Sequence, residues 1–376
     1  MFVNMLTIAS FYSNFYYNCI DHFFQKNSIS KERTLFFDIE TTGLSHKTSH
    51  LYLIGAAVFE KTSFKLYQFL AEHETSEEET ALLQSFYKLC SDRDCLIHFN
   101  GTTFDIPYLL HKSTQYQVSS PLLSMKSIDL YRTLRPISFL LPVSDFKQRT
   151  LEPLCHYQRL DTMDGKQLIQ VFHSFASLHK KEDQNLLLLH NHDDIEGMFH
   201  LLSLDILKAV LNGKFEFIQS HILKSTTLNG DIRTDILFQF SLPSVLPTDF
   251  SYHLEMFSLT FSGHTGKLKL PLLSGTLRYF YKNYKNYYYL PLEDEAVHKS
   301  IASYVDSSCR QKAKASNCYK KISGFFLRAY GNPNLSQFKT DYESKEIYIQ
   351  WTSEFSTSPE MQQEFLREFL KNLPKK

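Results

Sequence analysis

Apolar runs of six to eight residues, parted by short polar turns, open the first half of the chain. Residues 34–39, 52–59 and 64–70 are such runs, and their length and Leu/Phe/Ile/Val content predict strands. A polar loop over 45–50 joins the first two, and Glu60-Lys61-Thr62-Ser63 joins the second pair as a four-residue hairpin connection. Glu77, Glu78 and Glu79 then open a helix predicted to reach about Cys90, with Ser76 as its cap. Residues 95–99 predict a strand, 104–112 a helix and 125–129 another strand. From 186 to 211 apolar positions recur at helical spacing. Strands alternating with helices in this way predict an α/β domain, a mixed sheet flanked by helices.

Past Asn212-Gly213-Lys214 the pattern changes. Residues 236–242, 253–260 and 267–270 predict short strands, and 293–305 and 360–373 predict helices, which together describe a smaller α+β C-terminal module. The expected organisation is an amphipathic lead-in over 1–30 packing on the first domain, with disorder the alternative, that domain over 31–212, and the module over 213–376. The aromatic residues near the N-terminus follow no basic stretch and are interrupted by Ser10, Ser13, Asn14 and Asn18, unlike a signal peptide. No segment approaches the ~20 uninterrupted apolar residues of a membrane span. The expectation is a cytoplasmic protein with no membrane partner.

Composition changes this picture little. With 43% hydrophobic and 21% charged residues the chain is globular, and zero net charge gives no global pull toward a polyanion. Six cysteines form no Cys-x-x-Cys pair, which points to reduced thiols and away from a zinc cluster.

Chemistry gathers at three places. Asp38 and Glu40 stand two apart at the end of the first strand, so both project from one face. Two like charges so close are best tolerated around a hard cation such as Mg²⁺. Solvated surface acids are the plainer alternative. The run 95–99 meets a turn, Asn100-Gly101-Thr102-Thr103, followed by Phe104-Asp105 at a helix start. His190 and Asp194, four apart, share one face of the late helix, with Asp193 a competing acid three away.

Asp-x-Glu, then Asn-x-x-x-Phe-Asp, then His-x-x-x-Asp, in this order, resembles the DEDD superfamily of 3′→5′ exonucleases. The intervening run, from Ser127-Ile128-Asp129 through Lys147-Gln148-Arg149-Thr150-Leu151-Glu152 to Arg159-Leu160-Asp161, looks like the YprB-type ribonuclease H-like exonuclease domain. The resemblance covers about residues 30–212. It implies a ribonuclease H-like fold, with Asp38, Glu40, Asp105 and Asp194 as ligands of two divalent ions (Mg²⁺ or Mn²⁺). His190 would be the general base, where many relatives carry Tyr. The family's spacing selects Asp194 over Asp193. The implied activity is two-metal-ion hydrolysis at the 3′ end of DNA or RNA. Thr41, Thr42, Gly43 and Leu44 would touch the terminal nucleotide, and Asn100 and Phe104 would shape the turn and line the site. Two alternatives stay open: a ribonuclease H-like endonuclease, and a non-catalytic nucleic-acid-binding module.

One further stretch stands out, Arg278-Tyr279-Phe280-Tyr281-Lys282-Asn283-Tyr284-Lys285 with Tyr287-Tyr288-Tyr289 behind it. Residues 278–328 hold ten Lys/Arg against four Asp/Glu. Basic residues interleaved with aromatics suit phosphate tracking and base stacking, with Lys282 and Lys285 as candidate contacts. A Tyr-rich strand pair with solvated lysines is the competing explanation.

Overall fold

In the structure, a computed structural model, residues 1–8, 14–60, 63–226 and 229–375 are described. Residues 9–13 of the lead-in, and Lys61 and Thr62 of the predicted hairpin connection, lie outside the described residues. The chain forms two compact units, Met1–Lys208 with Ser244–Thr248, and Ala209–Pro243 with Asp249–Lys376.

The first unit is built on a six-stranded mixed sheet. Its strands are β1 (Phe2–Ile8), β2 (Thr34–Thr41), β3 (Leu51–Glu60), β4 (Ser63–Leu70), β5 (Cys95–His98) and β6 (Lys126–Asp129), in the order β1-β4-β3-β2-β5-β6. β1 to β4 pair antiparallel, while β2-β5 and β5-β6 are parallel. Residues 1–30, read from sequence as a lead-in, supply β1 at the sheet edge and helix α1 (Asn14–Lys26). The other helices are α2 (Ser76–Cys90), α3 (Asp105–Gln115), α4 (Leu130–Leu134), α5 (Gln148–Leu151), α6 (Gly165–Leu178) and α7 (Lys181–Leu201), and the unit's boundary falls within α8 (Asp205–Leu211).

Alternation along β2 decides which layer lies on which face. Phe37 turns toward α2, its ring 5.4 Å from Phe86, in a core with Leu35, Ile39 and Leu82. Phe36 turns the other way, where its ring meets Phe199 of α7 at 4.5 Å in a core shared with α1. Asp38 and Glu40 follow Phe36 on the α7 face. Two local expectations need correction. The α2 cap is Thr75, whose hydroxyl accepts from Glu78 N at 3.3 Å, and not Ser76. The helical stretch predicted over 186–211 starts earlier and breaks at Leu202–Leu204, giving α7 and α8.

The second unit is mostly sheet. Strands β7 (Glu216–Thr226), β8 (Ile232–Ser241), β9 (Phe250–Leu254), β10 (Phe257–Ser262) and β11 (Thr265–Pro271) pair in the order β7-β8-β11-β10-β9. β12 (Leu273–Phe280), β13 (Tyr287–Leu290), β14 (Glu295–His298), β15 (Gln311–Lys312), β16 (Tyr319–Ala329), β17 (Gln337–Phe338) and β18 (Ile347–Gln350) form the sheets β12-β16-β18-β17 and β14-β13-β15. Helices α9 (Lys299–Ala302), α10 (Ser353–Thr357) and α11 (Pro359–Lys371) complete it.

Two predictions fail here. The single strand over 253–260 is a hairpin, because Phe257 pairs back on Leu254. The helix over 293–305 is strand β14 followed by the four-residue α9. Asp294 adopts a left-handed φ of 53°, which turns the chain so that Ala296 pairs with Tyr289. The turn at 255–256 carries no Gly or Pro to announce it, whereas Pro291 in the turn before β14 was a signal of a break. Among the described residues, no helix is long and apolar enough to cross a membrane.

Candidate metal and hydrolysis site

Three elements of the first unit bring the sequence-predicted acids together. Asp38 and Glu40 come from β2, Glu40 at a bulge where the β2–β3 register shifts. Asp105 is the first residue of α3, where the helix dipole favours an acid. Asp194 comes from α7. Ligand atoms of Glu40, His190 and Asp194 lie within 4.8 Å of one another. Asp38 feels the charges of Asp194, Glu40 and Asp105.

These acids share one electrostatic problem. Burial first, then the neighbouring carboxylates, push Asp38 well above the usual range. Glu40 is pushed up to about 7 by burial, against the opposing pull of His190. Burial likewise takes Asp105 to about 7, although backbone hydrogen bonds from Asp105 and Ile39 act against it. Asp194 behaves differently: burial would raise it, but His190 and Arg159 outweigh burial and hold it below the usual value. A set of four carboxylates, three of them pushed up by burial and like charge, suits a hard divalent cation, whose charge offsets both. Asp38, Glu40, Asp105 and Asp194 are the residues that could hold one.

His190 is fixed from both sides. Its Nδ1 meets Asp161 Oδ2 at 2.6 Å, while Nε2 lies 3.3 Å from Glu40 Oε1 and 3.1 Å from Asp194 Oδ2. Burial pulls its pKa down, but Asp194, Glu40 and Asp161 prevail and push it up to about 9. A value near 9 makes His190 a counter-ion to the acids around it at neutral pH.

Several residues that sequence reasoning quoted without a role turn out to organise α7. Arg159 donates to Asp194 Oδ1 and to both oxygens of Glu152. Asp161, besides holding His190, accepts from Arg149 at 3.0 Å. Asp193 points elsewhere: its Oδ2 accepts the backbone N–H groups of Leu160 and Asp161, both at 2.8 Å, and its Oδ1 accepts Tyr157 OH at 2.9 Å. One loop, 159–161, is thereby tied to three α7 side chains at 190, 193 and 194. Gly197 makes room for this, because a Cβ there would stand 2.0 Å from Glu152 Oε1. A second group that could hold a metal ion, His192, Asp193 and Glu196, is hydrogen-bonded within itself, His192 to Asp193, and Tyr157 donates to Asp193 and Glu196.

Asp38 has a separate support. Asn191, fully buried, donates to Asp38 Oδ2 at 3.3 Å and accepts from Gln68 at 3.1 Å. Gly55, paired with Asp38 across the sheet, lets Asn191 approach, since a Cβ there would lie 2.0 Å from Asn191 Oδ1.

The remaining predicted residues fall into three groups. Thr41 and Ser49 hydroxyls both donate to Gly43 O at 2.9 Å, and Thr42 Oγ1 accepts from His50 N at 2.9 Å, so the loop after β2 is pinned. Leu44 at its tip is 87% exposed, free to meet a ligand. Asn100, at φ 61°, shapes the turn by accepting the Thr103 hydroxyl, while its N–H and that of Thr102 are held by Asp129. Phe104 packs beside Tyr108 in the core and reaches only partly to the surface. Lys282 and Lys285 belong to the second unit and line different pockets, Lys282 with Lys339 and Lys285 with Lys299 and Lys312.

Removing the charge of Asp161 isolates what the loop contributes. Asp161→Asn keeps the size but not the charge facing Nδ1, and is expected to cost ~10–100-fold in turnover, the usual effect of an outer-shell partner. Asp161→Glu is expected to restore part of it. Steady-state rates across pH check this, with equal activity in all three proteins the opposing result.

The model of the RNase_H superfamily matches residues 35–204. No curated protein matches the chain. Among solved structures, exonuclease I, in a structure that suggests how processivity is achieved, is similar at a TM-score of 0.32 and 12% identity, over 56% of this chain and 55% of that one. E. coli exonuclease I in complex with a 5cy-dA13 oligonucleotide gives 0.29 and 11%, over 56% and 54%. Its complex with a dT13 oligonucleotide gives 0.29 and 11%, over 55% and 54%. The chain spans about half the length of these exonucleases. Residues 35–204 form an RNase H-like domain, a mixed sheet flanked by helices.

Proposed function

We propose that the first unit is a metal-dependent 3′→5′ exonuclease that hydrolyses phosphodiester bonds of DNA or RNA with two divalent ions, Mg²⁺ or Mn²⁺. The observation that carries the reading is the convergence of Asp38, Glu40, Asp105 and Asp194 beside His190, half-buried or buried, with like charges raising three of the four carboxylates. The 3′→5′ direction is supported by the resemblance of the three motifs to DEDD exonucleases.

Asp38, Glu40, Asp105 and Asp194 would hold the ions, which when bound supply charge for the attacking and leaving oxygens. His190 Nε2 takes the proton of the attacking water, oriented by Asp161 at Nδ1. Arg159 holds one oxygen of Asp194 and leaves the other turned to the centre. The exposed Leu44, on a loop pinned by Thr41, Thr42 and Gly43, meets the terminal nucleotide. Asn100 and Phe104 keep the turn that aims Asp105.

The test is incubation of 5′-labelled DNA and RNA strands with Mn²⁺, reading the product ladder. Progressive shortening from the 3′ end is expected. Internal cuts would make the protein an endonuclease, and binding without products would make it a binding module.

A further inference from the structure

The acids and bases of the Tyr-rich segment are sorted to different places. Asp294 accepts from Tyr289 OH at 2.6 Å and Tyr319 OH at 2.5 Å and pairs with Lys321 at 3.2 Å. Glu295 accepts the Lys321 N–H, and Asp306 accepts from Ser308. A pocket of about 310 Å³ in the β14-β13-β15 region is lined instead by Lys285, Lys299, Lys312, Tyr284, Tyr287 and Tyr288, with Ala313 and no carboxylate. Its lysines come from three places, the turn before β13, the start of α9 and β15, where Lys312 pairs with Tyr288. Among the described residues none of the three makes an ion pair.

The rings are sorted as well. Tyr281 stacks on Tyr287 at 4.3 Å, Tyr279 packs on Phe338, and Tyr289 lies against Ala296, Ala313 and Cys318, so these rings build the module. Arg310 covers Tyr288 at 5.2 Å. Tyr284 is 36% exposed and has no ring partner among the described residues, which leaves a free aromatic face beside Lys285.

Three unpaired ammonium groups around one pocket repel one another until an anion enters. The volume is at the small end of the ~300–1,000 Å³ range of ligand pockets, which suits one unit of a polymer. We propose that this pocket binds single-stranded nucleic acid, with phosphate at Lys285, Lys299 and Lys312 and a base on Tyr284. Lys282, in another pocket with Lys339, is not part of it. The site rests on the nuclease reading only for the class of polymer.

The experiment is fluorescence-anisotropy binding of a labelled dT or rU oligomer to the full chain in EDTA, where hydrolysis plays no part, across a salt series. Lys285→Ala/Lys299→Ala/Lys312→Ala is expected to weaken binding and to flatten log K against log[salt] by about 0.7 for each phosphate no longer neutralised by a lysine. Tyr284→Ala is expected to weaken binding ~5- to 150-fold at an unchanged slope. The charge-matched control, Lys224→Ala/Lys267→Ala/Lys345→Ala, is expected to bind like wild type, with thermal melts showing all variants folded.

Wild-type affinity in the pocket triple variant, or an equal weakening in the control, overturns the proposal. So does displacement of the oligomer by inorganic phosphate at equal phosphate concentration, which assigns a free-anion site, or by polyglutamate at equal charge, which assigns an acidic polypeptide. Binding abolished only in the pocket variant, with no cleavage by wild type in Mn²⁺, would sink the nuclease reading and keep the pocket.

Discussion

Asp105→Asn is expected to lower hydrolysis in saturating Mn²⁺ by far more than the ~10–100-fold typical of an outer-shell metal partner. The change removes a ligand charge and keeps the shape of the α3 start, so the fold should survive. Its stability should in fact improve in EDTA above neutral pH. Asp105 is held up to about 7 in the folded protein against an ordinary 3.8. Between those values the folded chain keeps a proton that the unfolded chain has released, so this group destabilises the fold increasingly as pH rises from about 4 to about 7. Asn carries no such charge. In EDTA, Asp105→Asn should melt several degrees above wild type at pH 8 and nearly with it at pH 4. Mn²⁺ should reverse the order at pH 8, because it binds the wild-type fold more tightly. Wild-type turnover in the variant, or equal Mn²⁺ affinity by calorimetry, would remove Asp105 from the metal site.

His190→Ala is expected to cost 10²–10⁴-fold, the range for removal of a general base. The pH dependence separates that role from packing. A base must be neutral, and with Glu40 and Asp194 uncompensated His190 is held up to about 9. When cations engage those two carboxylates, the groups that raise it are neutralised and its pKa must fall. The acidic limb of the wild-type pH–rate profile should therefore move to lower pH as Mn²⁺ is raised toward saturation. In His190→Ala this limb should be flat. An unchanged rate and profile in the variant would leave His190 as a counter-ion only.

Local periodicity by itself was enough for the first unit's strands β2 to β6 and helices α2 and α3, but not for β1, α1 or α4 to α6. The runs at 34–39, 52–59 and 64–70 lie within β2, β3 and β4, because strands of that length bury apolar side chains whatever their partners. It also brought out the acids, since a spacing of two on a strand and four on a helix fixes a shared face before any tertiary packing forms. Tertiary structure decided what those faces meet. That Asp193 is spent on the backbone of 160 and 161, while Arg159 and Asp161 reach across to Asp194 and His190, depends on hydrogen bonds some thirty residues apart that no spacing encodes. The same holds for β14, where pairing with Tyr289 overrides the helical look of 293–305. Lys282 and Lys285, three apart in sequence, line different pockets because Lys285 stands in the turn before β13 and Lys282 precedes it. A single sequence encodes local preference, and a site is settled by packing between segments that the chain brings together only on folding.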